Sequence, residues 1–283
     1  MPYDATQAEF FSGWVDLAYA SFDETEPDPP TPQFPDGWES CGNLQVHFGM
    51  TDFIGWAAKR TDNAAQAIIF LGSKDLEWLR DLDVSKRAHP IGGKVAGGMY
   101  DMYLSLTLRT EMGSMSFADY LAQIDRTIPT WVAGHSLGGA FTTFTAADIA
   151  QLAGPPVSDD LQVYSFGSPR VGTSDFVSSF ESLVPNNYRI YNVPDIVPMF
   201  PPEALGYLHV NTAEPVPPLV SRNGPMYHGY DPLKRLACYH SHLGYRFMLK
   251  QRLGENPNPK MLGDCYEPLG PSSPGDGLAA SER

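Results

Sequence analysis

No run of apolar residues in this chain approaches the length needed to span a bilayer, which excludes a membrane-crossing helix. Basic residues are few. Nineteen Lys and Arg against 33 Asp and Glu leave a formal net charge of −14, which argues against nucleic acid and against simple attraction to anionic membranes. The first residues, Met1 to Thr6, lack the basic start and apolar block of a secretory signal, so the chain reads as intracellular or as a mature form without its leader. Cysteine is scarce: Cys41, Cys238 and Cys265 form no metal-ligand spacing and no C-x-x-C pair. At least one of them stays unpaired within a monomer; a bridge from the N-terminal to a C-terminal cysteine and free thiols are both open. There is no internal repeat, and no motif calls for a cofactor. What is present is ordinary globular material, 42% hydrophobic and 12% aromatic over 283 residues. That length suits one α/β domain with a large core over residues 1–269, followed by a Pro-, Ser- and Gly-rich tail from Gly270 to Arg283 that reads as disordered.

Helical spacing runs from Gln7 to Phe22, and the prolines at 27, 29, 30, 32 and 35 then impose a loop. Leu44–Phe48 alternates like an edge strand, while Thr51–Lys59 and Ala67–Leu71 read as two strands separated by turn residues at 61–63. Helix-like blocks at Gly97–Leu106 and Phe117–Ile124 precede an apolar run, Thr130–Ala133. Two further strands, Leu161–Phe166 and Tyr188–Val193, follow. Strands alternating with helices predict a mostly parallel central sheet covered on both faces.

The period changes from strand to helix at Gly134-His135-Ser136-Leu137-Gly138. A serine on a sharp strand-to-helix turn, with its hydroxyl pushed outward beside the unpaired N–H groups of a helix start, is a nucleophile elbow. The bland alternative is a glycine-rich loop entering a helix. A serine needs a base, and the base needs a third group to orient it. Asp195, at the end of the strand Tyr188–Val193 and between Pro194 and Pro198, suits the acid, although a plain turn aspartate is the rival. Among seven histidines, His135 packs in the elbow, and chain order favours His209, His228, His240 and His242 over the earlier ones. His242 opens a helical run from which it can project toward the elbow; His240 competes. The pair also suggests a metal, but no third ligand lies nearby. For the oxyanion, Leu137 supplies one backbone N–H, and Ser73, leaving the strand Ala67–Leu71, supplies a second.

Several segments then fall into one pattern. Phe70-Leu71-Gly72-Ser73 with Glu77-Trp78-Leu79-Arg80-Asp81-Leu82 resembles the F-R-G-[ST]…W…D-L block of the class 3 (fungal-type) lipases. Gly134–Ala140 matches that family's elbow, and Tyr164–Gly172 is similar to its T-F-G-x-P-R-V-G strand. Asn192–Pro198 resembles its acid-bearing loop, Gly206–His209 its G-Y-x-H turn and His242–Tyr245 its H-x-x-Y. The matches keep family order across roughly residues 50 to 250. The resemblance implies an α/β-hydrolase fold with Ser136 as nucleophile, Asp195 as acid, His242 as base, oxyanion donors at Ser73 and Leu137, and a structural His209. Leu71 replaces the family's usual arginine and Ala96 its usual histidine, so support of the oxyanion strand differs here.

The implied activity is carboxylic ester hydrolysis through an acyl-enzyme, on acylglycerols or other fatty-acyl esters. The implied partner is a lipid or small ester substrate, met at a lipid–water interface. A phospholipase A1 or a feruloyl-type esterase is the near alternative. A lipid-binding protein that has lost catalysis is the distant one. Leu76, Trp78 and Leu79 share one face of a short amphipathic stretch, which reads as a lid or as a packed surface helix.

Overall fold

A computed structural model describes residues 2–21, 29, 32–73, 82–153, 160–210, 213–216 and 231–267. In chain order the elements are α1 (Ala5–Ser21), β1 (Trp38–Phe48), β2 (Met50–Arg60), β3 (Gln66–Phe70), β4 (Lys86–Ala88), β5 (Lys94–Ala96) and α2 (Gly97–Leu104). There follow β6 (Thr107–Thr110), β7 (Gly113–Ser116), α3 (Phe117–Gln123), β8 (Thr130–His135), α4 (Leu137–Ala153), β9 (Leu161–Phe166) and α5 (Ser174–Leu183). The chain continues through β10 (Asn187–Asn192), β11 (Ala213–Val216), α6 (Pro232–Tyr239) and α7 (His242–Arg252).

Nine strands form one sheet in the order β11-β10-β9-β8-β3-β2-β1-β6-β7. From β3 to β11 every pairing is parallel; from β3 to β7 every pairing is antiparallel. The parallel half holds the site, because parallel strands present all their carboxyl ends along one edge. β3 and β9 are buried at every residue, as expected of strands covered on both faces.

Register and ring contacts separate the two faces. Trp131 lies beside Ala67, and Trp56 beside Ile69. Phe11 of α1 packs on Trp131 and Tyr164, and Trp14 packs on Trp56, so α1 covers this face with α7 behind it. Phe70 points the other way and meets Phe141 of α4 and Phe117 of α3. Burying each such aromatic stabilises the fold by about 2–3 kcal/mol.

Two expectations change. β1 is longer than Leu44–Phe48 and is internal, since the short hairpin β6–β7 adds outside it. The single bridge joins Cys238 to Cys265, 27 residues apart, and does not reach the N-terminal Cys41, which is free. The tail 270–283 and residues 27, 28, 30 and 31 of the proline-rich stretch lie outside the described residues. Among the described residues no helix is long and apolar enough to cross a membrane.

Candidate active site

β8 ends at His135 and α4 begins at Leu137, so Ser136 alone makes the turn, in the left-handed region at φ 58°. That conformation costs an L-residue about 1–2 kcal/mol, and the surrounding chain holds it. Ser136 N–H donates to Phe166 O of β9 at 2.9 Å, and Gly139 N–H donates to Ser136 O at 2.9 Å. The hydroxyl is not pushed into solvent as the sequence suggested; Ser136 is 0% exposed. The reason is crowding from two sides. The turn after β3 runs so close that a Cβ on Gly72 would sit 2.4 Å from Ser136 Cβ. An imidazole meets the hydroxyl on the other side.

That imidazole belongs to His240. Its Nε2 lies 2.7 Å from Ser136 Oγ and its Nδ1 2.7 Å from Asp195 Oδ2. A carboxylate only accepts, so Nδ1 carries the proton and Nε2 offers its lone pair to the serine hydroxyl. The expected base, His242, is therefore corrected: its Nδ1 pairs with Asp16 Oδ1 at 2.7 Å and its ring stacks on Tyr19, 3.9 Å between centroids and 5° apart. The helix period explains the difference. His242, Arg246 and Lys250 fall at i, i+4 and i+8 on α7 and face Asp16 and Glu9 of α1. His240 precedes that helix, at the corner where α6 ends and Ser241 caps α7 by accepting from Gly244 N–H. Of the two histidines, the one at the corner turns toward the sheet edge.

Asp195 is buried and accepts three hydrogen bonds. Val197 N–H reaches Oδ1 at 2.9 Å, while His240 Nδ1–H and the Tyr245 hydroxyl share Oδ2 at 2.7 Å each. Tyr245 in turn accepts Asn192 N–H at 2.9 Å. Burial and the neighbouring Asp195 charge push the Tyr245 phenol well above its ordinary pKa, so it keeps the proton it donates. Gly167, at φ 58°, ends β9 directly beneath this group. A Cβ there would come within about 3 Å of Asp195, His240 and Tyr245.

The loop that carries Asp195 is anchored below the site. His209 Nε2–H donates to Pro198 O at 2.7 Å, and burial with the charges of Arg189 and Arg170 lowers its pKa to about 3, so it stays neutral. Arg170 donates to Met199 O and Pro201 O and pairs with Glu203.

Leu137 opens α4, where first-turn N–H groups have no intrahelical acceptor. Ser73 follows Gly72, which lies against Ser136. Leu76, Trp78 and Leu79 lie outside the described residues, as does His228. Sequence reasoning missed Tyr19, whose hydroxyl meets His135 Nδ1 at 2.8 Å and accepts Gly72 N–H at 2.9 Å. No local signal marks it, because α1 comes near the elbow only in the folded chain.

A family described as Lipase (class 3) matches residues 60–205, just over half of the chain. The chain is 35% identical over 148 residues to a lipase of Rhizomucor miehei, covering 50% of this chain and 39% of that protein. It is 28% identical over 205 residues to phospholipase A1-IIgamma of Arabidopsis thaliana, covering 64% of this chain and 48% of that one. The chain thus spans less than half the length of these relatives. The solved triacylglyceride lipase of Rhizomucor miehei superposes with a TM-score of 0.60 at 25% identity, covering 76% of this chain and 82% of that one. A triacylglycerol lipase described as having a serine protease triad gives 0.60 at 22% identity, a likeness of fold.

Proposed function

The chain belongs to the class 3 lipase family, and on that footing we propose that it is a serine carboxylic ester hydrolase acting on fatty-acyl esters. The observation that carries the reading is the continuous chain Ser136–His240–Asp195, 2.7 Å at each link, at the start of a helix. Ser136 Oγ attacks the ester carbonyl while His240 Nε2 takes its proton. Asp195 stabilises the imidazolium that forms. The backbone N–H groups of Leu137 and Ser73 hold the oxyanion; the neighbouring Gly72 N–H is already given to Tyr19. One such donor is worth about 3 kcal/mol of barrier. His240 then returns the proton to the departing alcohol, and water repeats the cycle on the acyl-enzyme.

Because Ser136 is fully buried, substrate reaches it only after the groups around it move aside. Leu76, Trp78 and Leu79, read from the sequence as the apolar face of a lid, suit a substrate met at a lipid–water interface. Residues 1–269 are read as one α/β-hydrolase domain, since one sheet runs from β1 to β11 and the Cys238–Cys265 bridge ties the segment after α7 back to α6. Likeness to phospholipase A1 proteins favours a second reading within the same chemistry, hydrolysis of a glycerophospholipid. Ser136→Ala tests the first claim: turnover of p-nitrophenyl esters and labelling by a fluorophosphonate should both vanish with the fold intact. Near-native turnover by that variant would end the proposal. A series of triacylglycerol and phosphatidylcholine emulsions separates the two substrate readings.

A further inference from the structure

The triad explains how Asp195 holds the His240 ring. It does not explain what fixes the His240 backbone against the elbow, since that residue lies at a corner between two helices, outside the sheet, and its N–H bonds only within the last turn of α6. One buried chain of hydrogen bonds does so, and every proton in it can be assigned. The carbonyl oxygen of His240 only accepts, so His135 Nε2 must donate to it, at 2.7 Å. His135 Nδ1 then carries a lone pair, and the Tyr19 hydroxyl donates to it at 2.8 Å. With its proton so placed, the Tyr19 oxygen accepts Gly72 N–H at 2.9 Å.

We propose that Tyr19 is a positioning residue of the reaction, its single hydroxyl tying the turn after β3 to the backbone of His240 through His135. This rests on the ester-hydrolase reading of the same site. Both ends of the chain adjoin working groups: Gly72 immediately precedes the oxyanion donor Ser73, and the His240 carbonyl belongs to the residue whose ring meets Ser136 Oγ. The hydroxyl also selects the His135 tautomer. Without it, a proton on Nδ1 would leave Nε2 as a second acceptor facing the His240 carbonyl, and the corner would be pushed away. Burial, with His240 and His242 nearby, depresses the His135 pKa well below the ordinary histidine range, so the ring stays neutral and the tautomer is decided by its partners. The Tyr19 ring is itself clamped, stacked on His242, whose Nδ1 is held by Asp16 one turn earlier on α1. The N-terminal helix thereby sets the distance between oxyanion turn and base. A base or donor displaced by a few tenths of an ångström loses rate and not substrate affinity.

The test compares Tyr19→Phe with Arg246→Gln in the full chain. Phenylalanine keeps the stack on His242 and removes only the hydroxyl. Arg246→Gln loosens the docking of α7 on α1 by removing ion pairs to Glu9 and Asp16 and leaves the hydroxyl in place. Steady-state turnover of p-nitrophenyl esters should show kcat lowered by about 10- to 100-fold in Tyr19→Phe with KM within about twofold, below the loss for deleting a whole oxyanion donor. Arg246→Gln should lose thermal stability and keep kcat. Unchanged kcat in Tyr19→Phe, or equal kcat losses in the two variants at matched melting temperatures, would overturn the proposal. Nitrogen-15 spectra of the wild-type imidazoles give an independent reading should Tyr19→Phe not fold: His135 protonated at Nε2 supports the chain, and protonation at Nδ1 overturns it. A wild-type protein without ester turnover would refute the hydrolase reading instead, and the spectra would still judge the hydrogen-bond chain.

Discussion

Alanine at His240 and alanine at His242, two residues apart, should have opposite consequences. His240→Ala removes the acceptor of the Ser136 proton and one of the three donors to buried Asp195. Loss of a triad base lowers kcat by about 10⁴- to 10⁶-fold, which is about 5–8 kcal/mol of barrier. His242→Ala removes one hydrogen bond to Asp16, which keeps its ion pair with Arg246 at 3.0 Å, and removes the stack on Tyr19. Those contacts together stabilise the fold by about 1–2 kcal/mol, a loss of a few degrees in melting temperature. Its kcat should stay within about tenfold of wild type. Initial rates on p-nitrophenyl butyrate, with circular dichroism to confirm folding, measure both. A thousandfold loss in His242→Ala beside a mild effect in His240→Ala would refute the reasoning and restore the histidine first expected from sequence.

Gly72→Ala should abolish most turnover, by at least about 100-fold. Its Cβ would meet Ser136 Cβ at 2.4 Å and the Tyr19 hydroxyl at 2.7 Å, an overpacking that costs about 1–3 kcal/mol; wild-type rates in that variant would show that the turn does not lie against Ser136. Stability should fall with acid from about pH 6.5 downward. Burial holds His89 at a pKa of about 4 and His209 at about 3, and keeps His135 well below 6.5, so the unfolded chain binds more protons in that range. Each such imidazole costs about 1.4 kcal/mol per pH unit until its folded pKa is reached. Urea midpoints measured between pH 7.5 and 5 should therefore decline, and a flat profile would contradict neutral buried histidines. Reducing the Cys238–Cys265 bridge should destabilise the protein by about 3.5 kcal/mol for a 27-residue closure, read as a lower melting temperature in dithiothreitol with Cys41→Ser as background.

Much of this protein can be read along the chain because the relevant signals are local. Gly134–Gly138 sits where an apolar strand-like run gives way to a helix-like block, and the glycine-flanked serine in that setting locates the turn. Asp195 follows a strand and lies between prolines, so a fixed carboxylate at a strand end is visible without coordinates. The hairpin β6–β7 was less visible: its strands have four residues each and mostly half-exposed side chains, too short for alternation to register. The family resemblance supplied the order of the parts, yet its H-x-x-Y pattern selected His242 for the base. Tyr245 of that pattern does reach Asp195, while the histidine beside Ser136 stands two residues earlier.

The positions of Ser136 at a strand-to-helix turn and of Asp195 at a strand end, and the alternation of strand and helix, are legible along the chain because each depends on neighbours within a few residues. Which histidine turns inward was decided only by the tertiary structure. The packing of α7 on α1 takes His242 into the stripe that faces Asp16 and Glu9 and leaves His240 at the corner. The same packing brings Tyr19 to the elbow across 116 residues of chain, a contact for which no local pattern can select. Proximity between residues so far apart is a property of how helices cover a sheet, and no window of sequence contains it.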